Sequence, residues 1–247
     1  MRLYAIPHST NVERVALALG HKALDAELVV CDPADRSVLR AVSGQDLVPV
    51  LDDGGTIVTD SSHIIEYLEQ RHPAPALFPE RTAERAHVRL FVSWFDRVWK
   101  RAPNAIADEL ATPQPDPALI GAADEEMRST TALVTEMLDG REYLAGEFGA
   151  ADCAAFPFLK YARGAALDDD DLFHRVLTER RRSPPTAAWQ HGSSGSTRTR
   201  GGPTWARAAP RARSRSPSAP RDRRPSRQRG PPAARHRSHA GRPPARR

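Results

Sequence analysis

The sequence predicts an α/β N-terminal domain, an all-α domain behind it, and a basic tail with no core of its own. Three observations carry this reading. Short apolar runs alternate with amphipathic helical segments over residues 1–75. Helical periodicity alone continues over residues 82–182. After Arg182 the composition changes abruptly, and residues 183–247 form a separate Arg/Pro-rich stretch.

The N-terminal elements follow in order. Leu3 to Ile6 is a short apolar run ended by Pro7, read as a strand. Val12, Val15, Ala16 and Leu19 lie at i, i+3, i+4 and i+7, the stripe of an amphipathic helix, and Ser9, Thr10 and Asn11 are all good N-caps for it. Leu28 to Cys31 reads as a second strand, bounded by Asp32-Pro33. Val48 to Leu51 and Thr56 to Val58 flank Asp52-Asp53-Gly54-Gly55, a strong hairpin signal. Ser61 or Ser62 then caps a helix through Arg71, with Ile64, Ile65 and Leu68 inward. The order is β-α-β, a linker, then β-β-α, which is a thioredoxin-like arrangement.

His72-Pro73-Ala74-Pro75 breaks the pattern and reads as an interdomain linker. Beyond it, Thr82 to Leu110 carries Val88, Phe91, Phe95 and Val98 at helical spacing, with Trp94 and Trp99 beside them. Pro103 should kink or split that stretch. Further helices are expected over Pro117 to Leu138, from Gly149 through Leu159, and from Asp170 to Arg182.

Charge divides the chain the same way. The formal net charge is +5. Residues 1–182 hold 20 basic and 30 acidic side chains, whereas residues 183–247 hold 16 arginines against Asp222 alone. The basic balance therefore belongs to the tail and says nothing about the folded part. The tail has no Leu, Ile, Val, Phe, Tyr or Met, so it cannot bury the apolar surface that would offset about 1–2 kcal/mol of backbone ordering per residue. It is expected to be disordered. Two readings of it stand side by side. Its residues are those of GC-rich codons, as an out-of-frame reading of a GC-rich gene would give. A genuine tail would bind nucleic acid or another polyanion, without sequence choice and with strong salt dependence.

Cys31 and Cys153 are too few and too far apart for a disulfide framework or a Cys-x-x-Cys site. No apolar run approaches the ~18 residues of a membrane span, and the start lacks the pattern of a signal peptide. A cytoplasmic protein without membrane association is expected. There is no Gly-rich phosphate loop, no Gly-x-Ser-x-Gly elbow and no metal-ligand spacing, and the acidic run Asp168 to Asp171 reads as a solvated helix start.

Two passages resemble the soluble glutathione S-transferases. One is Leu47-Val-Pro-Val-Leu51 with Val58-Thr-Asp-Ser-Ser-His-Ile-Ile-Glu-Tyr-Leu68. The other is Tyr143-Leu-Ala-Gly146 through Phe148-Gly-Ala-Ala-Asp152, then Phe156-Pro157. With the N-terminal strand-Ser-helix they cover residues 1–182 and lie nearest in pattern to the zeta and tau classes. Pro184-Pro185-Thr-Ala-Ala-Trp189 echoes the family once more, and there the resemblance stops.

The resemblance implies a homodimer that uses glutathione, or a related low-molecular-weight thiol, as substrate and needs no metal. Ser9, five residues before Arg14, would be the catalytic hydroxyl, with Thr10 and Asn11 as near substitutes. It would stabilise the thiolate and lower the thiol pKa from its ordinary ~8.5. Val48 and a cis Pro49 would present backbone to the peptide, and Asp60 and Ser61 would hold its γ-glutamyl end at a helix N-terminus. Phe91, Trp94 and Phe95 would line the pocket of a small hydrophobic electrophile. Asp152 would order its own helix start, though Gly149 stands where the family has Ser or Thr, leaving that capping box incomplete. Isomerisation of an unsaturated diacid is the zeta-like variant of this activity. Two alternatives come from other classes: a noncatalytic thioredoxin-fold binding protein, and polyanion binding through the tail.

Overall fold

The computed structural model describes residues 1–166 and 168–180. The basic stretch 183–247, with its expected disorder, frameshift and polyanion readings, lies outside the described residues, as do Arg181 and Arg182.

Four strands form one sheet of order β2-β1-β3-β4: β1 Arg2–Ala5, β2 Glu27–Val30, β3 Val50–Asp53 and β4 Thr56–Thr59. β1 is parallel to β2, Leu3 facing Leu28, and antiparallel to β3, Leu3 facing Leu51. The β3–β4 hairpin closes through Gly54 and Gly55, whose φ of +61° and +97° are open to glycine at no steric cost. α1 (Thr10–His21) connects β1 to β2, and α3 (Ser61–Arg71) follows β4. Between β2 and β3 the chain is not a plain linker. It forms α2 (Ser37–Ser43), seven residues that bury only Leu39 and end on Gly44 at φ +74°. Under two turns of helix with one inward residue leaves no periodicity to read.

The rest of the described residues is helical in its regular elements: α4 (Thr82–Trp94), α5 (Arg101–Leu110), α6 (Pro117–Met137), α7 (Ala150–Leu159) and α8 (Leu172–Glu179). The split expected at Pro103 occurs upstream of it. Phe95–Trp99 is a π turn, closed by Lys100 N–H donating to the Phe95 carbonyl at 3.0 Å, and Pro103 sits in the first turn of α5. A proline ring crowds the carbonyl four residues back, here that of Trp99, so the distortion falls where that carbonyl must move.

One buried cluster runs from the sheet through α1 and α3 into α4, α5 and α7. Phe95 stacks on Trp99 at 4.4 Å, and both meet Phe158 of α7 edge-on. The passage from α3 to α4 is pinned by Lys22, the C-cap of α1. Its buried ammonium donates to Glu69 at 2.7 Å and to the carbonyls of His72 and Pro75 at 2.6 and 2.9 Å. Glu69 also accepts the Leu77 N–H at 2.9 Å.

The α7 start shows why glycine occupies position 149. A Cβ built there would lie 2.6 Å from the Leu77 carbonyl oxygen, which accepts the Ala150 N–H at 2.8 Å. A Ser or Thr has no room. Asp152 supplies the other half of the capping arrangement, its two oxygens accepting the N–H groups of Leu144 and Gly149, each at 3.0 Å.

Candidate functional site

A cavity of about 640 Å³ opens between the N-terminus of α3, the residues before β3, and the α4–α5 junction. Val48 and Pro49, joined by a cis peptide bond, form one wall. Asp60 and Ser61 form another. Asp60 precedes α3 with φ +69°, a left-handed value that costs a non-glycine residue about 1–3 kcal/mol. One carboxylate oxygen of Asp60 caps the helix, accepting the N–H groups of Ser62 (2.8 Å) and His63 (3.3 Å). That conformation turns the chain so that the first amides of α3 and the Asp60 carboxylate share the mouth of the cavity.

The cavity floor is charged. Arg14 of α1 is 1% exposed, held between the Phe158 ring and the surrounding oxygens. Its Nε donates to the Ala154 carbonyl at 2.9 Å, and Nη1 donates to Asp96 at 2.6 Å and Ser61 Oγ at 3.4 Å. Nη2 is buried with no hydrogen-bond partner among the described residues. Burial pushes the guanidinium below its ordinary value, and Asp96 opposes this. Asp96 also accepts from Ser62 Oγ at 3.0 Å and from Lys100 at 3.4 Å. Burial raises the Asp96 carboxyl, but Arg14 and Lys100 outweigh it and hold the group below the usual range. Lys100 is pushed down to about 8 by burial and by Arg14.

The residues proposed for the thiol occupy different positions. Asn11 lines the cavity and accepts Lys100 Nζ on Oδ1 at 3.2 Å. Ser9 is the N-cap of α1, its hydroxyl accepting the Val12 N–H at 3.4 Å, and it is not among the residues lining the cavity. Thr10 is buried in the first turn of α1. His8, at φ +60°, faces a separate cavity of about 360 Å³ with Tyr161 and Lys160.

The aromatic residues expected at the electrophile lie outside the lining of this cavity. Phe91, Trp94 and Phe95 do not line the cavity; Phe95 is fully buried, and Phe91 packs on Trp94 and Phe95 at 5.8 and 6.0 Å. Arg89, Val92 and Ser93 of α4 and Asp96 and Arg97 of the π turn face the cavity. Rings buried in the helical core gain more from removing apolar area from water than they would beside a solvated cleft. Arg14, Asp96 and Lys100 escaped the sequence reading as site residues. Their only trace was an arginine within the amphipathic α1 segment and an i, i+4 acid-base pair at the α4–α5 junction. Among the described residues no group of His, Cys, Asp and Glu could hold a metal, and no helix is long and apolar enough to cross a membrane.

Residues 3–76 match the family model described as glutathione S-transferase, N-terminal domain. That stretch is similar to the N-terminal domain of the glutathione S-transferases. Among similar proteins, a maleylpyruvate isomerase of Ralstonia sp. is 33% identical over 36% of this chain and 44% of its own. The glutathione S-transferase TCHQD of Arabidopsis thaliana is 29% identical over 70% of this chain and 80% of its own. A glutathione S-transferase structure from Rhodospirillum rubrum F11 superposes with a TM-score of 0.58 at 29% identity, covering 74% of this chain and 89% of that one. The chain spans 44% and 41% of the first two curated relatives it matches. The transferase fold, a thioredoxin-like sheet followed by helices, is thus common to the sequence pattern, the family match and the architecture.

Proposed function

We propose that this chain is an enzyme of the glutathione S-transferase family, binds glutathione or a related low-molecular-weight thiol, and adds its thiolate to a small electrophile. The observation that carries the reading is the single cavity that gathers Val48, Pro49, Asp60 and Ser61 beside the start of α1. Ser61 and the first amides of α3 suit the γ-glutamyl carboxylate, and Asp60 suits its ammonium. Ser9 supplies the hydroxyl that stabilises the thiolate, with Thr10 and Asn11 as alternatives. Residues 1–75 form the thiol-binding domain and residues 82–182 the helical domain of a cytoplasmic homodimer.

The electrophile is expected to carry a carboxylate. The cavity presents the exposed Arg97, with Phe78 as the one Phe, Tyr or Trp among its lining residues, which supports the zeta-like isomerisation of an unsaturated diacid over conjugation of an apolar compound. The names of several relatives, maleylpyruvate and maleylacetoacetate isomerases, agree with that choice.

The test is turnover of glutathione with a panel of electrophiles, neutral and dicarboxylate, by wild type and Ser9→Ala. Loss of the hydroxyl should lower kcat/KM by about tenfold or more through a raised thiol pKa. An unchanged rate excludes Ser9 from the chemistry. The noncatalytic reading has one observation in its favour, the engagement of the Ser9 hydroxyl with Val12 rather than the cavity. Retention on glutathione resin without turnover of any electrophile would decide for it.

A further inference from the structure

We propose that Lys100 is a positioning residue for the thiol: it holds the Asn11 side chain so that the amide nitrogen, Nδ2, donates to the bound thiolate, and it sets its own charge beside that sulfur. This rests on the glutathione reading above and deepens it. Lys100 and Asn11 come from opposite sides of the cavity, the α4–α5 junction and the first turn of α1, and both line it. Lys100 Nζ lies 3.2 Å from Asn11 Oδ1. An ammonium only donates, so this contact fixes the amide oxygen toward Lys100 and leaves Nδ2 as the donor that Asn11 offers the cavity.

The remaining ammonium protons are partly spent. One reaches Asp96 Oδ1 at 3.4 Å, and the third has no acceptor among the described residues. The Phe158 ring lies 4.9 Å from Nζ and shields the stem from water. The charged groups facing Lys100 are Arg14 from α1, Asp96 from the turn before it, and Asp60 from the start of α3. Arg14 is already matched by Asp96 at 2.6 Å, so the positive charge of Lys100 is the less neutralised of the two. An anion placed beside Asn11 would complete the cluster. Burial and Arg14 push Lys100 down to about 8, and a neighbouring thiolate would favour its charged form.

The arrangement makes the helical region part of thiol activation. An opposite charge within about 4–6 Å moves a pKa by about 1–3 units, and a lone serine cap does not supply such a charge.

The experiment uses the full chain with glutathione itself. Calorimetry gives its dissociation constant, and a pH titration of the thiolate's ultraviolet absorbance gives the pKa of the bound thiol. Wild type should hold that pKa well below its ordinary value. Lys100→Met should raise it by about 1–2 units, a loss of about tenfold or more in thiolate at neutral pH, and Lys100→Arg should restore most of it. Asp96 keeps Arg14 in Lys100→Met, so that variant leaves no orphaned charge. Asn11→Ala should raise the pKa as well, and it carries the test independently if Lys100→Met does not fold. A depressed thiol pKa that Lys100→Met and Asn11→Ala both leave unmoved overturns the proposal while the glutathione reading stands. A weaker dissociation constant with the thiol pKa unmoved also overturns it, and makes Lys100 a ligand of the peptide's carboxylate instead. No glutathione binding by wild type overturns both readings.

Discussion

Replacing Arg14 with methionine should cost this protein about 2–4 kcal/mol of stability. The buried guanidinium donates to the Ala154 carbonyl at 2.9 Å and to Asp96 at 2.6 Å, and it lies 4.8 Å from the centre of the Phe158 ring. Removing one member of a buried ion pair costs about 3–5 kcal/mol, because the partner stays desolvated and unmatched. Two features reduce that figure here. Asp96 keeps Ser62 at 3.0 Å and Lys100 at 3.4 Å, and the unpartnered Nη2 disappears with the substitution. Methionine fills a similar volume and returns apolar contact with Phe95 and Phe158. The assay is urea unfolding followed by tryptophan fluorescence, Trp99 being fully buried nearby. Arg14→Met should move the midpoint to lower urea. The double variant Arg14→Met/Asp96→Leu should lose at least about 1 kcal/mol less than the two single variants summed, since the two side chains share one interaction. A single variant as stable as wild type would refute the reasoning. It would show that desolvating the guanidinium costs as much as its contacts return.

Burial raises the Asp152 carboxyl to about 6 against its ordinary 3.8, even though two N–H groups donate to it. A raised folded-state pKa means that the folded chain binds the extra proton between those values. Its effect on stability is therefore most favourable below about pH 4 and is lost as pH rises through 6, by about 3 kcal/mol in all. Asp152→Ala should flatten that part of a stability-against-pH curve, and an unchanged slope between pH 4 and 6 would contradict it. The same variant should lower stability at neutral pH by about 1–3 kcal/mol for each buried N–H left without its acceptor, measured by the urea midpoint. Gly149→Ser, which on sequence grounds should complete a capping box, should instead lower stability by about 1–3 kcal/mol, because its Cβ meets backbone 2.6 Å away. A higher urea midpoint for Gly149→Ser would show that the Leu77 carbonyl can withdraw.

What the sequence determined by itself was everything written in local chemistry. Gly54 and Gly55 mark the hairpin because only a residue without Cβ enters two successive left-handed positions freely. The stripe of α1 and the Asp60-Ser61 start of α3 are legible for the same reason, since caps and periodicity act within one turn of chain. With Val48-Pro49 they named four of the residues that line the cavity. Tertiary structure decided the rest. Which face of α4 meets the cavity cannot be read from its aromatic residues, because Phe95 and its neighbours had two apolar destinations and packing against Phe158 chose between them. Nor could the sequence join Arg14 to Asp96 or Lys100 to Asn11, pairs 82 and 89 residues apart. A charge is worth little until the fold removes water from around it and brings its partner within about 4 Å, and only the packed chain fixes both.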